Sequence, residues 1–358
     1  MKTIHTSIKA ILLVLTTLAW SATFSHAADS YSQTNLRSDL PGVATFTDPN
    51  LVNPWGMAPN SSGTVIWVND NGTGVSTLYN QDGTVVSSLP LVTIPTAARN
   101  KDGGNPTGIV RNGTAFFQVT KNGVSAPARF IFVSEDGSIS GWNPALNPND
   151  LAHAIAIAVD NGTNLGSERA IYKGATLGVA KGHNFLYVTN FHTGRVETYD
   201  ENFRKVNPRG FVDRTLPPGY APFGIRNING EIFVTYALQD AKAEDDVAGP
   251  GNGFVNVFDT SGNFVKRLIS NGNLNAPWGL ALAEPGELWV GNFGDGKINN
   301  YDPTNGAFLG TISHNGTPLQ IDGLWDLLPL VTSSGPRVYF AAGIGDEEHG
   351  LFGFITED

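Results

Sequence analysis

The chain of 358 residues contains no cysteine, and charged residues make up only 15% of it. Without cysteine there can be no disulfide framework and no lipid anchor attached through cysteine. A chain of this length can still bury enough apolar surface to fold without disulfides. The sequence also lacks a Gly-x-Ser-x-Gly elbow, a His-Glu-x-x-His pair and a phosphate-binding glycine loop, which removes the common signatures of hydrolases, zinc peptidases and nucleotide-binding enzymes.

The first 27 residues resemble a secretory signal peptide. Lys2 and Lys9 flank the start of an apolar run from Ile8 to Trp20, and small residues surround Ala27. The run is too short and too rich in threonine for a membrane span. We therefore expect cleavage after Ala27, a mature domain over residues 28–358, and a periplasmic or extracellular location. The absence of cysteine in an exported chain suits a bacterial protein.

Negative charge dominates the rest of the chain. The formal net charge is −10, and the first 27 residues carry two lysines and no acidic residue, so the remainder is two units more negative. Nucleic acid and anionic membrane surfaces would be repelled, so neither is an expected partner. The 42 glycines and 21 prolines favour many short strands joined by tight turns.

A segment made of a small residue or Pro, one variable residue, Gly and an apolar residue recurs six times, and four of the six copies read Pro-x-Gly-apolar. Its glycines are assigned to Gly56, Gly108, Gly178, Gly224, Gly279 and Gly323. Their separations lie around the roughly 40 to 50 residues of a propeller blade. Each is followed by a strand that ends in aromatic-Val-polar, as in "VIWVND" and "ELWVGN", and then by two further strands. Two longer intervals contain an extra hairpin at 112–128 and the acidic segment "ALQDAKAEDDVAGPGNG".

The two ends of the chain complement each other. The sixth unit stops at Asp358 without a fourth strand, while Tyr31 to Leu40 precede the first unit without a unit of their own. An N-terminal strand that completes the last blade would close the ring and remove its exposed edges. The sequence therefore predicts an all-β, six-bladed propeller with four antiparallel strands per blade.

These residues carry a resemblance to known propellers. The Pro-x-Gly-apolar start, the aromatic-Val-x-Asn strand and the Asp-Gly turn look like those of NHL-type and gluconolactonase-like six-bladed propellers. The stretch "DLPGVATFTDPNLVNPWGM" and nearly the whole mature chain resemble an uncharacterised family of exported bacterial propeller proteins. The resemblance implies the fold, and a fold does not by itself imply an activity.

Propeller topology places candidate site residues around one mouth of the central channel, called here the upper mouth, where the innermost strands begin. The ligand-binding candidates are Asn53, Trp55, Asn69, Asp70, Asn190, Trp278, Asn292, Asp295 and Asp322. Their oxygens suit a divalent cation, and the two tryptophans suit stacking on a sugar. Each residue also has a structural interpretation, since Asn and Asp after a strand often form Asx turns and a Trp beside a glycine often packs between blades.

Two clusters suggest more specific chemistry. The loop "GDEEHG" provides Asp346, Glu347 and His349, which together with His192 form a candidate calcium or zinc site, although the side chains of adjacent loop residues seldom point to one place. The acidic segment with Asp245 and Asp246 lacks a calcium-loop pattern and is interpreted as a surface excursion, with a lid or partner-binding flap as the alternative.

Two functions remain in competition at the level of sequence. The first is an exported binding or scaffold protein that holds a small molecule, a carbohydrate or a protein at the upper mouth. The second is a metal-assisted hydrolase or lactonase, in which a cation in the channel polarises a carbonyl and activates water.

Overall fold

A computed structural model describes residues 30–100, 104–164, 166–206, 210–284 and 286–358. The predicted signal peptide lies outside the described residues. Within them the chain forms 29 strands and three short 3-10 helices, at Pro144–Leu146, Leu151–His153 and Gly166–Glu168. No helix in this part of the chain is long and apolar enough to cross a bilayer.

Two strands precede the first blade, and three blades follow in the first half of the chain. The preceding strands are β1 (Tyr31–Ser38) and β2 (Phe46–Thr47). Blade 1 comprises β3 (Pro54–Pro59), β4 (Val65–Asp70), β5 (Val75–Asn80) and β6 (Leu91–Thr93). Blade 2 comprises β7 (Pro106–Arg111), β10 (Phe130–Ser134), β11 (Ser138–Trp142) and β12 (Ile155–Asp160), with an inserted hairpin of β8 (Gln118–Lys121) and β9 (Val124–Pro127). Blade 3 comprises β13 (Tyr172–Ala180), β14 (His183–Asn190), β15 (Arg195–Asp200) and β16 (Lys205–Val206).

Three blades complete the ring. Blade 4 comprises β17 (Tyr220–Ile228), β18 (Glu231–Leu238), β19 (Phe254–Asp259) and β20 (Phe264–Ser270). Blade 5 comprises β21 (Pro277–Glu284), β22 (Glu287–Asn292), β23 (Ile298–Tyr301) and β24 (Phe308–Thr311). A small hairpin of β25 (Ser313–His314) and β26 (Thr317–Pro318) leads to blade 6, which contains β27 (Leu324–Thr332), β28 (Gly335–Ala342) and β29 (Leu351–Glu357).

The N-terminal strand completes blade 6, as predicted. Strand β1 pairs antiparallel with β29, from Tyr31 opposite Glu357 to Ser38 opposite Leu351. The sheet order is therefore β27, β28, β29, β1, with β2 parallel to β1 at its outer edge. Because the last blade contains both ends of the described chain, the ring closes through backbone hydrogen bonds and no blade is left incomplete.

Apolar side chains are buried between neighbouring blades. Between blades 2 and 3, Ile131 and Val133 of β10 belong to the same buried cluster as Leu186 and Val188 of β14. Equivalent clusters join blades 4 and 5 and blades 5 and 6. Alternate residues of each strand face one neighbouring blade or the other, which explains why the strand sequences are apolar over most of their length.

A ring of glycines on the innermost strands lets these strands approach each other at the channel. The ring glycines are Gly56, Gly108, Gly174, Gly224 and Gly279. A Cβ at Gly56 would lie 2.6 Å from the carbonyl oxygen of Thr107, and one at Gly279 would lie 2.6 Å from that of Trp325. Each glycine thus faces the backbone of the next innermost strand, which leaves little or no space for a Cβ.

Two of the six predicted repeat glycines are wrong. In blade 3 the ring position belongs to Gly174 and not to Gly178, because Gly174 is the residue that adjoins Gly108 and the carbonyl group of Phe223. In blade 6 the position belongs to Asp326, whose Oδ2 accepts a hydrogen bond from the backbone N–H of Met57 at 2.8 Å. Gly323 instead lies in a left-handed turn, with φ of 59°, ahead of β27.

Candidate functional site

Aromatic side chains close the channel directly below the upper mouth. The aromatic plug consists of Trp55, Phe223, Trp278, Phe293 and Trp325. Trp55 stacks on Trp325 with ring centroids 3.4 Å apart, and Trp325 stacks on Phe293 at 4.0 Å. Trp55 of blade 1 also meets Phe223 of blade 4, on the opposite side of the ring, so the rings fill the channel axis. The channel is therefore closed below the upper mouth.

The aromatic plug contradicts the suggestion that Trp55 and Trp278 stack on a sugar. Trp55 is 2% exposed and Trp278 is 6% exposed. The indole N–H of Trp278 donates to the carbonyl oxygen of Lys173 at 3.2 Å. Both rings are covered by other aromatic residues, so neither can serve as an open platform for a sugar.

Lys173 takes the place of an aromatic residue in this layer and is the central cation of the mouth. It precedes a ring glycine, as Trp55 and Trp278 do in their blades, and its side chain is 2% exposed. Its Nζ donates to Glu135 Oε1 at 2.5 Å and to Asp245 Oδ1 at 3.1 Å, and lies 5.1 Å from the centroid of the Trp55 ring. Burial alone would lower the pKa of Lys173, but the charges of Glu135 and Asp245 outweigh burial and raise it. Lys173 is therefore a fixed positive charge.

Four carboxyl groups from three blades surround this lysine: Glu135, Asp245, Asp246 and Glu347. Asn71 Nδ2 donates to Glu135 Oε2 at 2.9 Å. Burial raises the pKa of Asp246 to about 7, against the opposing effect of Lys173 and with the help of Glu347. Burial also raises the pKa of Glu347, which the hydrogen bond from Asn53 partly offsets. The mouth thus holds more carboxyl groups than one lysine can neutralise, and two of them ionise less readily than usual.

Asn53 connects the mouth to the plug. Its Nδ2 donates to Glu347 Oε2 at 2.6 Å, and its Oδ1 accepts from the indole N–H of Trp325 at 2.9 Å. Asn53 has a positive φ of 46° immediately before Pro54. That conformation suits asparagine better than most other residues. Asn53 and Glu347 are the two predicted site residues that the structure brings together here.

The acidic segment in blade 4 forms an ordered loop over blade 3. Asp240 Oδ1 accepts from the backbone N–H of Glu244 at 2.8 Å, which organises the turn. Glu244 forms an ion pair with Arg169, and His192 Nδ1 lies 3.1 Å from the carbonyl oxygen of Ala243. These contacts bring Asp245 to Lys173. The segment is therefore part of the mouth, in line with the flap alternative and not with a detached surface excursion.

Most of the predicted Asn and Asp candidates support the backbone. Asn69 Nδ2 donates to the carbonyl oxygens of Thr107 and Gly108 in the next blade. Asn190 Nδ2 donates to Glu197, and Asn292 Nδ2 donates to Asp295 within a turn. Asp322 Oδ2 accepts from the N–H of Gly345 at 2.8 Å. These side chains order the loops around the channel through their protein partners, although Oδ1 of Asn69 and Oδ1 of Asn292 accept no hydrogen bond within the described residues.

Asp70 has a different environment from the other predicted candidates. It is fully buried at the end of β4, where Oδ2 accepts from the N–H of Thr77 at 3.1 Å. Burial raises its pKa well above the ordinary value, and no cation pairs with it among the described residues. Burial therefore favours the neutral form of Asp70, whose carboxyl group contacts the backbone of β5 and not the residues around Lys173.

The residues of the candidate metal site do not come together. His349 Nδ1 lies 2.7 Å from Asp39 Oδ2, and His192 Nε2 lies 3.0 Å from the carbonyl oxygen of Gly166. Glu347 instead contacts Asn53, while Asp346 is exposed. Within the described ranges, no group of three or more His, Cys, Asp or Glu residues could hold a metal ion. The prediction failed because neighbouring residues of the 345–350 loop point to different partners.

Lys173 is the main residue that sequence reasoning missed. Assigning the blade 3 repeat to Gly178 placed Lys173 outside the anchor segment. Aligning Tyr172-Lys173-Gly174 with Pro54-Trp55-Gly56 would have placed it at the mouth. The role of Asp246 has no comparable sequence signal, because it depends on how the inserted loop folds back over blade 3.

Comparisons with known proteins agree with this fold. No model of a protein family matches the chain. A solved streptogramin B lyase superposes over 92% of this chain and 97% of its own, with a TM-score of 0.50 and 15% identity. A protein assigned as a gluconolactonase superposes over 93% of both chains, with a TM-score of 0.53 and 12% identity. At these identities the likeness shows the fold alone.

One protein related to this chain by sequence is viral. The uncharacterized protein R648 of Acanthamoeba polyphaga mimivirus is 32% identical over 335 residues, which covers 90% of this chain and 79% of the relative. The propeller part of the predicted resemblance is thus confirmed, while this relative is viral where the sequence suggested bacteria. The chain belongs to the same family of six-bladed propellers as the mimivirus protein R648.

Proposed function

We propose that the chain is an exported binding protein and that its upper mouth binds a ligand or partner through a cationic group. The observation that supports this most is the arrangement of four carboxyl groups around the buried cation Lys173, above a closed aromatic plug. The groups come from separate blades, so the propeller holds them in place before a ligand arrives. Preorganised charges of this kind favour binding because little order is lost on association.

Unused acceptor atoms indicate the charge of the ligand. Glu347 Oε1, Asp245 Oδ2 and both carboxyl oxygens of Asp246 accept no hydrogen bond from another residue within the described part of the chain. Lys173 already donates to two carboxylates. An incoming ammonium or guanidinium group would pair with the free oxygens and relieve their mutual repulsion. The cation could belong to a small molecule or to a Lys or Arg side chain of a protein.

A metal-assisted hydrolase or lactonase has less support than a binding protein. Such a mechanism needs three or four fixed ligands around the ion. Two of the side chains that the sequence suggested, His192 and His349, contact other partners. The lyase and the gluconolactonase among the solved neighbours share the architecture at identities too low to transfer an activity.

Titration with spermidine tests the binding proposal, with glucose as a neutral comparison. We expect calorimetry to detect spermidine binding that strengthens between pH 5.5 and pH 8. The sign follows from Asp246, whose pKa of about 7 leaves it largely protonated at the lower pH and ionised at the higher. Asp246→Asn and Glu347→Gln should each weaken binding about tenfold, which corresponds to roughly 1.4 kcal/mol.

Glu284→Gln provides the matched control, because Glu284 is exposed on β21 away from the mouth. This variant should bind spermidine as the parent does. Undetectable spermidine binding to the parent at both pH values would refute the proposal. The proposal would also be refuted if Asp246→Asn and Glu347→Gln bound spermidine as strongly as Glu284→Gln does, because the cation would then bind elsewhere.

Export has its own test. When the full chain is produced in a bacterial host, we expect a secreted or periplasmic product that begins at Ala28, since the small residues before it fit signal peptidase. Intact-mass measurement of the fractionated protein decides the point. An uncleaved chain found in the cytoplasm would contradict export and leave the binding proposal untouched.

A further inference from the structure

A cavity occupies the channel on the other side of the aromatic plug. This lower channel has a volume of about 280 Å³ and is lined by the residues that follow the ring glycines, among them Met57, Ile109, Ile225 and Leu280. This volume is near the lower end of the range for pockets that bind small molecules, which begins at roughly 300 Å³. The cavity can therefore hold a small molecule but not a folded partner.

An ion pair spans the lower channel. Arg226 Nη2 of blade 4 donates to Asp326 Oδ1 of blade 6 at 2.7 Å. Asp326 is 2% exposed and also accepts from the backbone N–H groups of Met57 and Leu327, each at 2.8 Å. Each of its oxygens thus accepts at least one hydrogen bond, which fixes its position in the ring. Arg226 uses one guanidinium nitrogen for this contact, and its other N–H groups have no partner in the described residues.

A second arginine lines the same cavity. Arg111 lies at the end of β7, is exposed, and makes no ion pair within the described ranges. Arg111, Arg226 and Asp326 are the charged residues of the lining, so the lower channel has a net charge of one positive unit. This sign is opposite to that of the whole chain and of the upper mouth.

We infer that the lower channel is a binding site for a small oxyanion, held by the guanidinium groups of Arg226 and Arg111. A guanidinium group presents parallel N–H donors that match the two oxygens of a carboxylate or phosphate. Asp326 orients Arg226 by occupying one edge of its guanidinium group and leaves the rest for the ligand. Apolar residues beside the arginines would contact a short carbon skeleton. The plug separates this anion from any ligand at the upper mouth.

Two anions test the site in separate arms, inorganic phosphate and succinate, titrated calorimetrically into the full chain. We expect at least one of them to bind, and Arg111→Gln to weaken that binding at least fivefold. The paired change Arg226→Met with Asp326→Asn should abolish it. Both charges are removed together because Arg226→Met alone would leave Asp326 buried without its partner, and the amide that replaces the carboxylate would still offer an acceptor to Met57.

Arg204→Gln serves as the matched control, since Arg204 is an exposed arginine outside the cavity. This variant and Asp246→Asn, at the upper mouth, should bind the anion like the parent. Binding of phosphate alone would identify a phosphorylated ligand, and binding of succinate alone a carboxylate ligand. The inference is overturned if neither anion binds, or if binding persists unchanged in both Arg111→Gln and the paired variant.

Discussion

Replacing Gly224 with alanine is expected to destabilise the propeller by about 3 kcal/mol, although the change adds a single methyl group. A Cβ at this position would overlap the carbonyl oxygen of Trp278 in the next blade and lie 3.0 Å from Thr235 Oγ1. Neither atom can move freely, because Trp278 belongs to the plug and Thr235 Oγ1 accepts from the N–H of Gly224. The innermost strands of blades 4 and 5 would have to separate. The shift of the urea-unfolding midpoint measures this loss.

Gly174→Ala is the matched comparison in the same ring. Its Cβ would meet the carbonyl oxygen of Phe223 at 3.1 Å and Thr189 Oγ1 at 3.2 Å, which small adjustments can relieve. We expect the free energy of unfolding to fall by less than about 1 kcal/mol, since a Cβ has more space at Gly174 than at Gly224. Equal losses in the two variants would contradict the argument that the approach of the next strand explains the glycine ring, because the effect of a Gly→Ala change on the entropy of the unfolded chain favours the folded state.

The ring also explains how far the repeat could be predicted from sequence. Four of the six positions follow from the Pro-x-Gly pattern, because there the glycine and its proline or aromatic neighbours occur together. Blade 3 departs from it, with Tyr172-Lys173-Gly174 in place of Pro-Trp-Gly, so the pattern favours Gly178. Blade 6 has no ring glycine, since Asp326 bonds to the next strand through its side chain. The ring position requires a residue that lets the innermost strand approach the backbone of the next blade, and the local sequence does not always show which residue that is.

The candidate site is less predictable than the fold, because its members are joined by contacts between blades. Topology alone placed Asn53 and Glu347 at the upper mouth. It could not show that His192 and His349 bond to separate partners, or that Trp55 and Trp278 are covered by other aromatic rings. These outcomes depend on side-chain directions, which periodic patterns do not contain. The inserted loop adds a further contact between distant parts of the chain, through Asp245 and Lys173.

Lys173→Met is expected to destabilise the protein by about 3 kcal/mol at pH 8, because it removes the buried cation and leaves the surrounding carboxylates to repel each other. Methionine keeps most of the volume against Trp55, so the loss reflects charge more than a cavity. The full value for a buried pair, up to about 5 kcal/mol, is not expected because Asp245 is 74% exposed and partly screened. Thermal and urea unfolding measure the difference from the parent.

The pH dependence of this loss distinguishes charge from packing. The pKa values of Asp246 and Glu347 are raised in the folded state, and Lys173 lowers both. A carboxyl group with a raised folded pKa reduces stability as the pH rises from its unfolded value, about 4, through its folded value. Removing Lys173 raises these folded values further, so the deficit should be small near pH 4 and grow towards pH 8. Lys297→Met, at an exposed pair with Asp295, should cost less than about 1 kcal/mol at either pH. A deficit of Lys173→Met that is the same at pH 4 and pH 8 would assign the role of Lys173 to packing.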